Sequence, residues 1–464
     1  MGRHFFLILF CIKTLVSLSF LFYQIYLKGP PPLPDLDLGE WWGDGPKRED
    51  TSVRDFKIKF DDEMIRDLKD RLTSHRPWTP PLEDAAFNYG FNSEQLEPWL
   101  RYLAEQYPFA EREEFLNQFP QYKTNIQGLD LHFIRVKPKV SEDIEVVPLL
   151  VLHGWPGSVR EFYEAIPHLT AVSKDRDFAL ELIIPSLPGF GFSDATFRPG
   201  LGAAEMAVVL RNLMHRLGFK QFYLQGGDWG SIIGSIMATV FPKELLGFHN
   251  NMAITMSPGA TYVSILGAVY PKLLVDEDLI DRMYPLKKFY MFLLEQTGYL
   301  HLQASKPDTI GVALSNSPCG HLAYILDLFK DHDLNLTDGG LTNRFTRDQL
   351  LDNFMIYWSS ESITSSMRLY AETFNKRYLE MKIDEIPTSV PTGALQAKYE
   401  FSYQPPYLLK FKYENLLNCT VLDRGGHFIA LELPDVFAED VLKAISEFRK
   451  WHRDNDDVFV KEDL

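Results

Sequence analysis

The sequence predicts an α/β fold: a parallel sheet with crossover helices, covered by a helical cap and preceded by an N-terminal extension and a transmembrane anchor. Three observations carry this. Short β-rich runs, "VVPLLVLHG" from Val146, "LELIIPSLPG" from Leu180 and "QFYLQGG" from Gln221, alternate with helical patterns such as "AAEMAVVLRNLMHRLG" from Ala203, as strand–crossover–strand units require. A long aromatic and helical stretch interrupts the alternation, which resumes at "NCTVLDRGGHF" from Asn418 and ends in the helix-like "DVFAEDVLKAISEFRKWH" from Asp435. The chain also begins with "FFLILFCIKTLVSLSFLFYQIYL", Phe5 to Leu27, an apolar run with one charge, Lys13, long enough to span a bilayer.

In chain order, residues 1–28 are read as the anchor. Burying Lys13 at a helix centre costs about 2.5–3.5 kcal/mol, which the surrounding Phe, Leu and Ile side chains outweigh. The competing reading is a cleaved signal peptide with Arg3 as its n-region and "SLS" at Ser17 to Ser19 as a poor cleavage site. Residues 29–50, beginning "GPPPLPDLDLGEWWGDGP", form a Pro-rich linker, expected to be an extended spacer. Residues 51–145 form the extension, where "IKFDDEMIRDLKDRL", Ile58 to Leu72, has apolar residues mostly at helical spacing. Residues 146–256 and 387–464 make the α/β core, and residues 257–386 make the cap over the sheet's active edge. No internal repeat is visible.

Composition narrows the function. The 464 residues carry 63 Asp and Glu against 47 Lys and Arg, a formal net charge of −16, so no general field draws the protein to nucleic acid. Its three cysteines, Cys11, Cys319 and Cys419, are far apart and form no CxxC or zinc-like cluster, which argues against a disulfide framework and a structural metal. No phosphate-cradling glycine loop points to an organic cofactor. The expectation is therefore no cofactor, no metal and no obligate protein partner.

Three short motifs suggest the chemistry. "QGGDWGS" places Gly226, Asp228 and Gly230 in the pattern of a G-x-S-x-G nucleophile elbow, between a β-run and a helical run, with Asp228 in place of serine. The glycines leave room for a strained turn; a plain turn with a helix N-cap aspartate is the competing reading. "HGWPGS", His153 to Ser158, follows an apolar β-run where an oxyanion-hole loop of this architecture belongs, so the backbone N–H groups of Trp155 and Trp229 are its candidate donors. His427 in "GGHF" follows the last β-run, in the chain order nucleophile then histidine. It is the candidate base; His153, inside the oxyanion loop, is not.

With these motifs in place, the chain resembles the epoxide hydrolases of the α/β-hydrolase fold, in particular the membrane-anchored microsomal type that includes the insect juvenile-hormone epoxide hydrolases. The resemblance extends over nearly the whole chain, through "PDLDLGEWWG", "HGWPGS", "SLPGFGFSD", "GGDWGS", "TGYLHLQASKPDT" and "GGHF". It implies Asp228 as nucleophile, His427 as general base, Glu400 in "KYEFSYQPP" as the acid orienting His427, and Tyr299 and Tyr370 as donors to the epoxide oxygen. Asp384 and Asp423 remain alternatives to Glu400, and most of the 21 tyrosines must have other roles.

The aspartate then has a chemical reason. Serine attacking an epoxide carbon would leave an alkyl ether that histidine and water cannot readily cleave, whereas a carboxylate forms an ester, which this machinery hydrolyses. The expected activity is hydrolysis of lipophilic epoxides, juvenile hormone or xenobiotic, to diols through an ester on Asp228. A haloalkane dehalogenase-like hydrolase shares the aspartate but needs halide-holding N–H donors. A non-catalytic membrane-tethered binding protein on the same fold is the alternative from another class. The expected location is the endoplasmic reticulum membrane, crossed once through residues 5–27, with the catalytic domain cytosolic. Terminal "KEDL" resembles but does not match a lumenal retention signal, and the acceptor patterns at Asn335 and Asn418 could be glycosylated only in the lumen.

Overall fold

In the computed structural model, residues 29–141, 144–332 and 334–459 are described, with scattered positions between 12 and 23. Most of the predicted anchor and the terminal "KEDL" lie outside the described residues. Among those described, no helix is long and apolar enough to cross a membrane.

The strands are β1 (Arg54–Phe56), β2 (Gln121–Ile126), β3 (Leu129–Val136), β4 (Glu145–Leu152), β5 (Phe178–Pro185), β6 (Phe222–Gly226), β7 (Leu245–Asn250), β8 (Thr392–Gln396) and β9 (Leu416–Val421). They form one sheet in the order β1-β2-β3-β5-β4-β6-β7-β8-β9. From β5 to β9 every pairing is parallel. Three apolar runs read from the sequence are β4, β5 and β6, of which β5 and β6 are buried along their whole length as central parallel strands are; β9, at the edge, is half-buried.

The sheet begins earlier than the sequence suggested. β1, β2 and β3 pair antiparallel and join β5, so the extension supplies part of the sheet as well as helices. Their polar residues, as in "QYKTNI", hide them from a search for apolar runs; an antiparallel strand needs only one covered face. In the same segment, helix α1 (Asp62–Thr73) starts later than the periodicity implies. Asp61 caps it, its carboxylate accepting from the N–H groups of Glu63 and Met64 at 2.8 and 3.4 Å, and Ile58 and Phe60 are buried ahead of the helix. Helix α2 (Phe109–Leu116) comes next.

The core helices include α3 (Ala203–Arg216) and α4 (Trp229–Val240). Between β7 and β8 the chain is helical: α5 (Pro258–Gly267), α6 (Leu286–Gln296), α7 (Gly298–Ser305), α8 (Pro307–Asn316), α9 (Pro318–Leu326), α10 (Arg347–Ser359) and α11 (Ile363–Thr373). Helix α12 (Pro434–Phe459) closes the fold against the sheet. The Pro-rich stretch is more than a spacer: Trp42 is fully buried in the main core, and its N–H donates to the Gln127 carbonyl at 2.8 Å.

One buried carboxylate ties three parts together. Asp352 of α10 accepts from Arg112 of α2 at 2.9 Å, from Arg160 in the core loop after β4 at 2.8 Å, and from the Tyr107 hydroxyl at 2.8 Å. Arg160 also pairs with Glu164 at 2.7 Å. A buried carboxylate met by two guanidiniums has its hydrogen-bonding capacity filled, the condition under which such a group is tolerated.

Candidate active site

The candidate residues converge at the carboxyl ends of the parallel strands, where open α/β sheets place their sites. The HGWPGS loop follows β4, the elbow joins β6 to α4, Glu400 follows β8 and His427 follows β9. The two tyrosines come from the cap, Tyr299 on α7 and Tyr370 on α11.

Asp228 has φ 48° and ψ −123°, a conformation costly for a residue with a side chain, on the order of 1–3 kcal/mol. The packing compels it: a Cβ on Gly226 would lie 2.2 Å from the Gly230 carbonyl oxygen. Gly154 is equally constrained, since its Cβ would sit 2.0 Å from Asp228 Oδ1. That lets the next residue's backbone reach the carboxylate, and the Trp155 N–H donates to Asp228 Oδ1 at 2.6 Å. Trp229, the other candidate oxyanion donor, opens α4 directly after Asp228.

His427 Nε2 lies 3.4 Å from Asp228 Oδ2, and its Nδ1 lies 2.8 and 3.0 Å from the two oxygens of Glu400. Burial alone would lower the imidazole pKa, but Glu400 and Asp228 together hold it well above its ordinary value. Glu400 is nearly inaccessible and also accepts from the Phe401 N–H at 2.9 Å. Of the alternatives, Asp384 interacts with Lys412, and Asp423 lines the same cleft as Glu400, but it is Glu400 that bonds the imidazole.

Tyr299 and Tyr370 stand edge to face with ring centroids 6.2 Å apart. Trp155 stacks on Tyr299 at 5.5 Å, and the Trp229 ring meets Tyr370 edge-on at 4.7 Å. Burial first, and then neighbouring groups that include the Asp228 charge, raise both phenol pKa values well above normal. Both phenols therefore keep their protons. His153 is occupied otherwise: its Nε2 accepts from the Leu187 N–H at 3.1 Å, and burial lowers its pKa to about 4.

Sequence reasoning missed several supporting residues. Glu161 is buried, and its Oε2 would be 3.0 Å from a Cβ on Gly157. Burial, followed by neighbouring charges among which His427 opposes the shift and Asp228 and Glu432 add to it, raises its pKa to about 8. From α10, Asn353 Nδ2 donates to the Pro156 carbonyl, and the Tyr357 hydroxyl donates to the Gly157 carbonyl, both at 2.7 Å. The Ser158 hydroxyl donates back to Asn353 Oδ1 at 2.7 Å. These residues lie about 200 positions from the loop they hold, so no local pattern announces them.

Comparison with known proteins agrees with this geometry. Residues 53–162 match the family model "Epoxide hydrolase N terminus", and residues 147–270 match that of the alpha/beta hydrolase fold. The chain is 59% identical over 450 residues to juvenile hormone epoxide hydrolase of Bombyx mori, covering 96% of this chain and 98% of the relative. It is 41% identical over 416 residues to epoxide hydrolase 1 of Sus scrofa, covering 87% and 91% respectively. The crystal structure of the silkworm protein superposes with a TM-score of 0.88 at 60% identity, covering 90% of this chain and all of the other. Aspergillus niger epoxide hydrolase superposes with a TM-score of 0.70 at 25% identity, covering 89% and 99%.

Proposed function

Because the chain belongs to the epoxide hydrolase family, of microsomal type on the α/β-hydrolase fold, we propose that it hydrolyses lipophilic epoxides through a covalent ester on Asp228. The observation that carries this reading is one carboxylate met by the Trp155 N–H at 2.6 Å and the His427 imidazole at 3.4 Å, with two buried cap phenols packed on Trp155 and on Trp229, the residue after Asp228. Juvenile hormone is the substrate suggested by similarity to the silkworm protein, and xenobiotic epoxides fit the same chemistry.

In the first step an Asp228 oxygen attacks an epoxide carbon, forming the ester C–O bond as the ring C–O bond breaks. Tyr299 or Tyr370 gives its proton to the alkoxide. In the second step water attacks the Asp228 carbonyl carbon and gives a proton to His427, held by Glu400, while the Trp155 and Trp229 N–H groups hold the tetrahedral oxyanion. Collapse releases the second diol oxygen, which takes the proton from His427. The acid so formed on Asp228 returns its proton to the tyrosinate, and the site is restored.

Oxygen-18 water tests this in a single turnover. The first diol carries unlabelled oxygen from Asp228 and the label enters the enzyme; a fully labelled diol would overturn the ester. Halide release from haloalkanes without epoxide turnover would instead favour the dehalogenase chemistry.

The reading includes membrane attachment through residues 5–27 and residence on the cytosolic side of the endoplasmic reticulum. Asn335 and Asn418 are then unglycosylated in microsomes. A mobility shift on endoglycosidase treatment would reverse the orientation.

A further inference from the structure

Helix α5 and the turn after it have an unusual surface. Tyr262, Ile265, Leu266 and Val269 recur at i, i+3, i+4 and i+7, the spacing of a helical stripe that ordinarily faces a core. Here the stripe faces outward: α5 buries only Gly259 and Ala260, while Val269 is 85% and the following Leu273 84% exposed. Helix α6, "LKKFYMFLLEQ", buries no residue at all, and its Leu294 is 75% exposed. Both helices attach to a small cluster separate from the main core, in which Ala260 and Tyr284 are buried and Leu286 packs at the edge. Apolar surface of this extent on a water-soluble face marks an interaction site.

The charge around it narrows the occupant. No acidic residue lies between Met256 and Val275 or between Leu286 and Leu294, where Lys287 and Lys288 edge the apolar surface and Lys272 pairs with Glu277 at 2.6 Å; Asp276, Glu277, Asp278 and Asp281 are gathered in the segment that joins the two helices. Apolar and aromatic residues edged by lysine are the composition of a helix lying in a membrane interface. The apolar N-terminal run arrives at the same place: the Phe20 ring meets Tyr262 edge-on, with centroids 5.7 Å apart. Beside α6 lies a cleft of about 610 Å³ in which Phe289 and Phe292 face Asp278, Asp281, Lys398 and Asp423; it ends at Glu400, on the Nδ1 side of His427 and away from Asp228.

We propose that the α5–α6 face rests in the interface of a phospholipid bilayer, so that the cap is a second membrane contact. The proposal rests on the membrane attachment read from residues 5–27, and the two are tested separately. Full-length Val269→Cys and Leu273→Cys proteins, with Phe197→Cys and Val312→Cys as exposed controls, are labelled with a fluorophore and reconstituted into phosphatidylcholine vesicles containing phosphatidylserine and a doxyl-labelled phospholipid. Labels at 269 and 273 are quenched roughly twofold or more and those at 197 and 312 are not. Equal quenching at all four positions overturns the proposal. So does shielding of 269 and 273 from aqueous iodide without doxyl quenching, which would mean that the chain's own N-terminal run covers the face. Flotation after alkaline carbonate reports on the anchor alone, whatever the quenching shows. Leu273→Asp also raises KM for a vesicle-borne epoxide roughly three- to tenfold without changing kcat for a water-soluble one; an unchanged KM counts against the cap contact.

Discussion

Asp228 and His427 change each other's chemistry as the proposed reaction proceeds. The carboxylate 3.4 Å from Nε2 and the Glu400 carboxylate at Nδ1 together favour imidazolium in the resting site. Forming the ester removes the Asp228 charge, so the imidazole pKa falls and its proton passes to solvent before the base is needed, to be taken up again once the carboxylate is regenerated. Asp228→Asn imitates that neutralisation, and the His427 pKa read by NMR should drop by about 1–3 units; an unchanged value would show that Glu400 alone sets it. Glu161 gives a second residue-scale prediction. Its folded-state pKa is raised from 4.5 to about 8, so its stabilising share is complete below the lower value and is lost as pH rises through the upper one. Glu161→Gln stays neutral, and its thermal unfolding temperature should decline less than that of the parent across this range.

At the scale of elements, the oxyanion loop depends on α10 more than on its own residues. Asn353 bridges Pro156 and Ser158, and Tyr357 holds Gly157. Asn353→Ala removes the Asn353 donor from the buried Pro156 carbonyl and the acceptor of the Ser158 hydroxyl, at about 1–3 kcal/mol of stability in chemical denaturation. By letting Trp155 drift from the carboxylate it should also lower kcat by up to about 100-fold, with KM little changed. This dependence marks the boundary of what the sequence discloses. The elbow, the loop after β4 and the histidine after β9 are local patterns, legible because strand, turn and nucleophile are adjacent in the chain. Strand β2 and the polar residues of α10 are not: "QYKTNI" has no apolar run to announce a strand, and Asp352 and Asn353 look solvent-facing until residues 192 or more positions away cover them. Glu161, in "VREF", looks like any surface glutamate, and only the fold brings it beside the nucleophile. The tyrosines are an intermediate case, identified by family resemblance and not by spacing.

Across the whole molecule, extension, core and cap meet at Asp352. Removing its charge strands Arg112, which is largely buried, and leaves the buried Arg160 with Glu164 alone; breaking a buried pair in this way costs about 3–5 kcal/mol. Asp352→Asn should therefore lower global stability by that amount. It should also make extension and cap more susceptible to limited proteolysis together, since both lose the same partner. Nicking confined to the cap would show that the extension is held by its strands alone.

The antiparallel strands have a further consequence. Since β3 covers the flank of β5, a polypeptide starting at Val146 would present β5 as a bare edge, open to pairing with a second copy. Such a fragment should self-associate when expressed alone and be rescued by residues 29–141 supplied as a separate chain. By this criterion the extension acts as an intramolecular chaperone for the catalytic half.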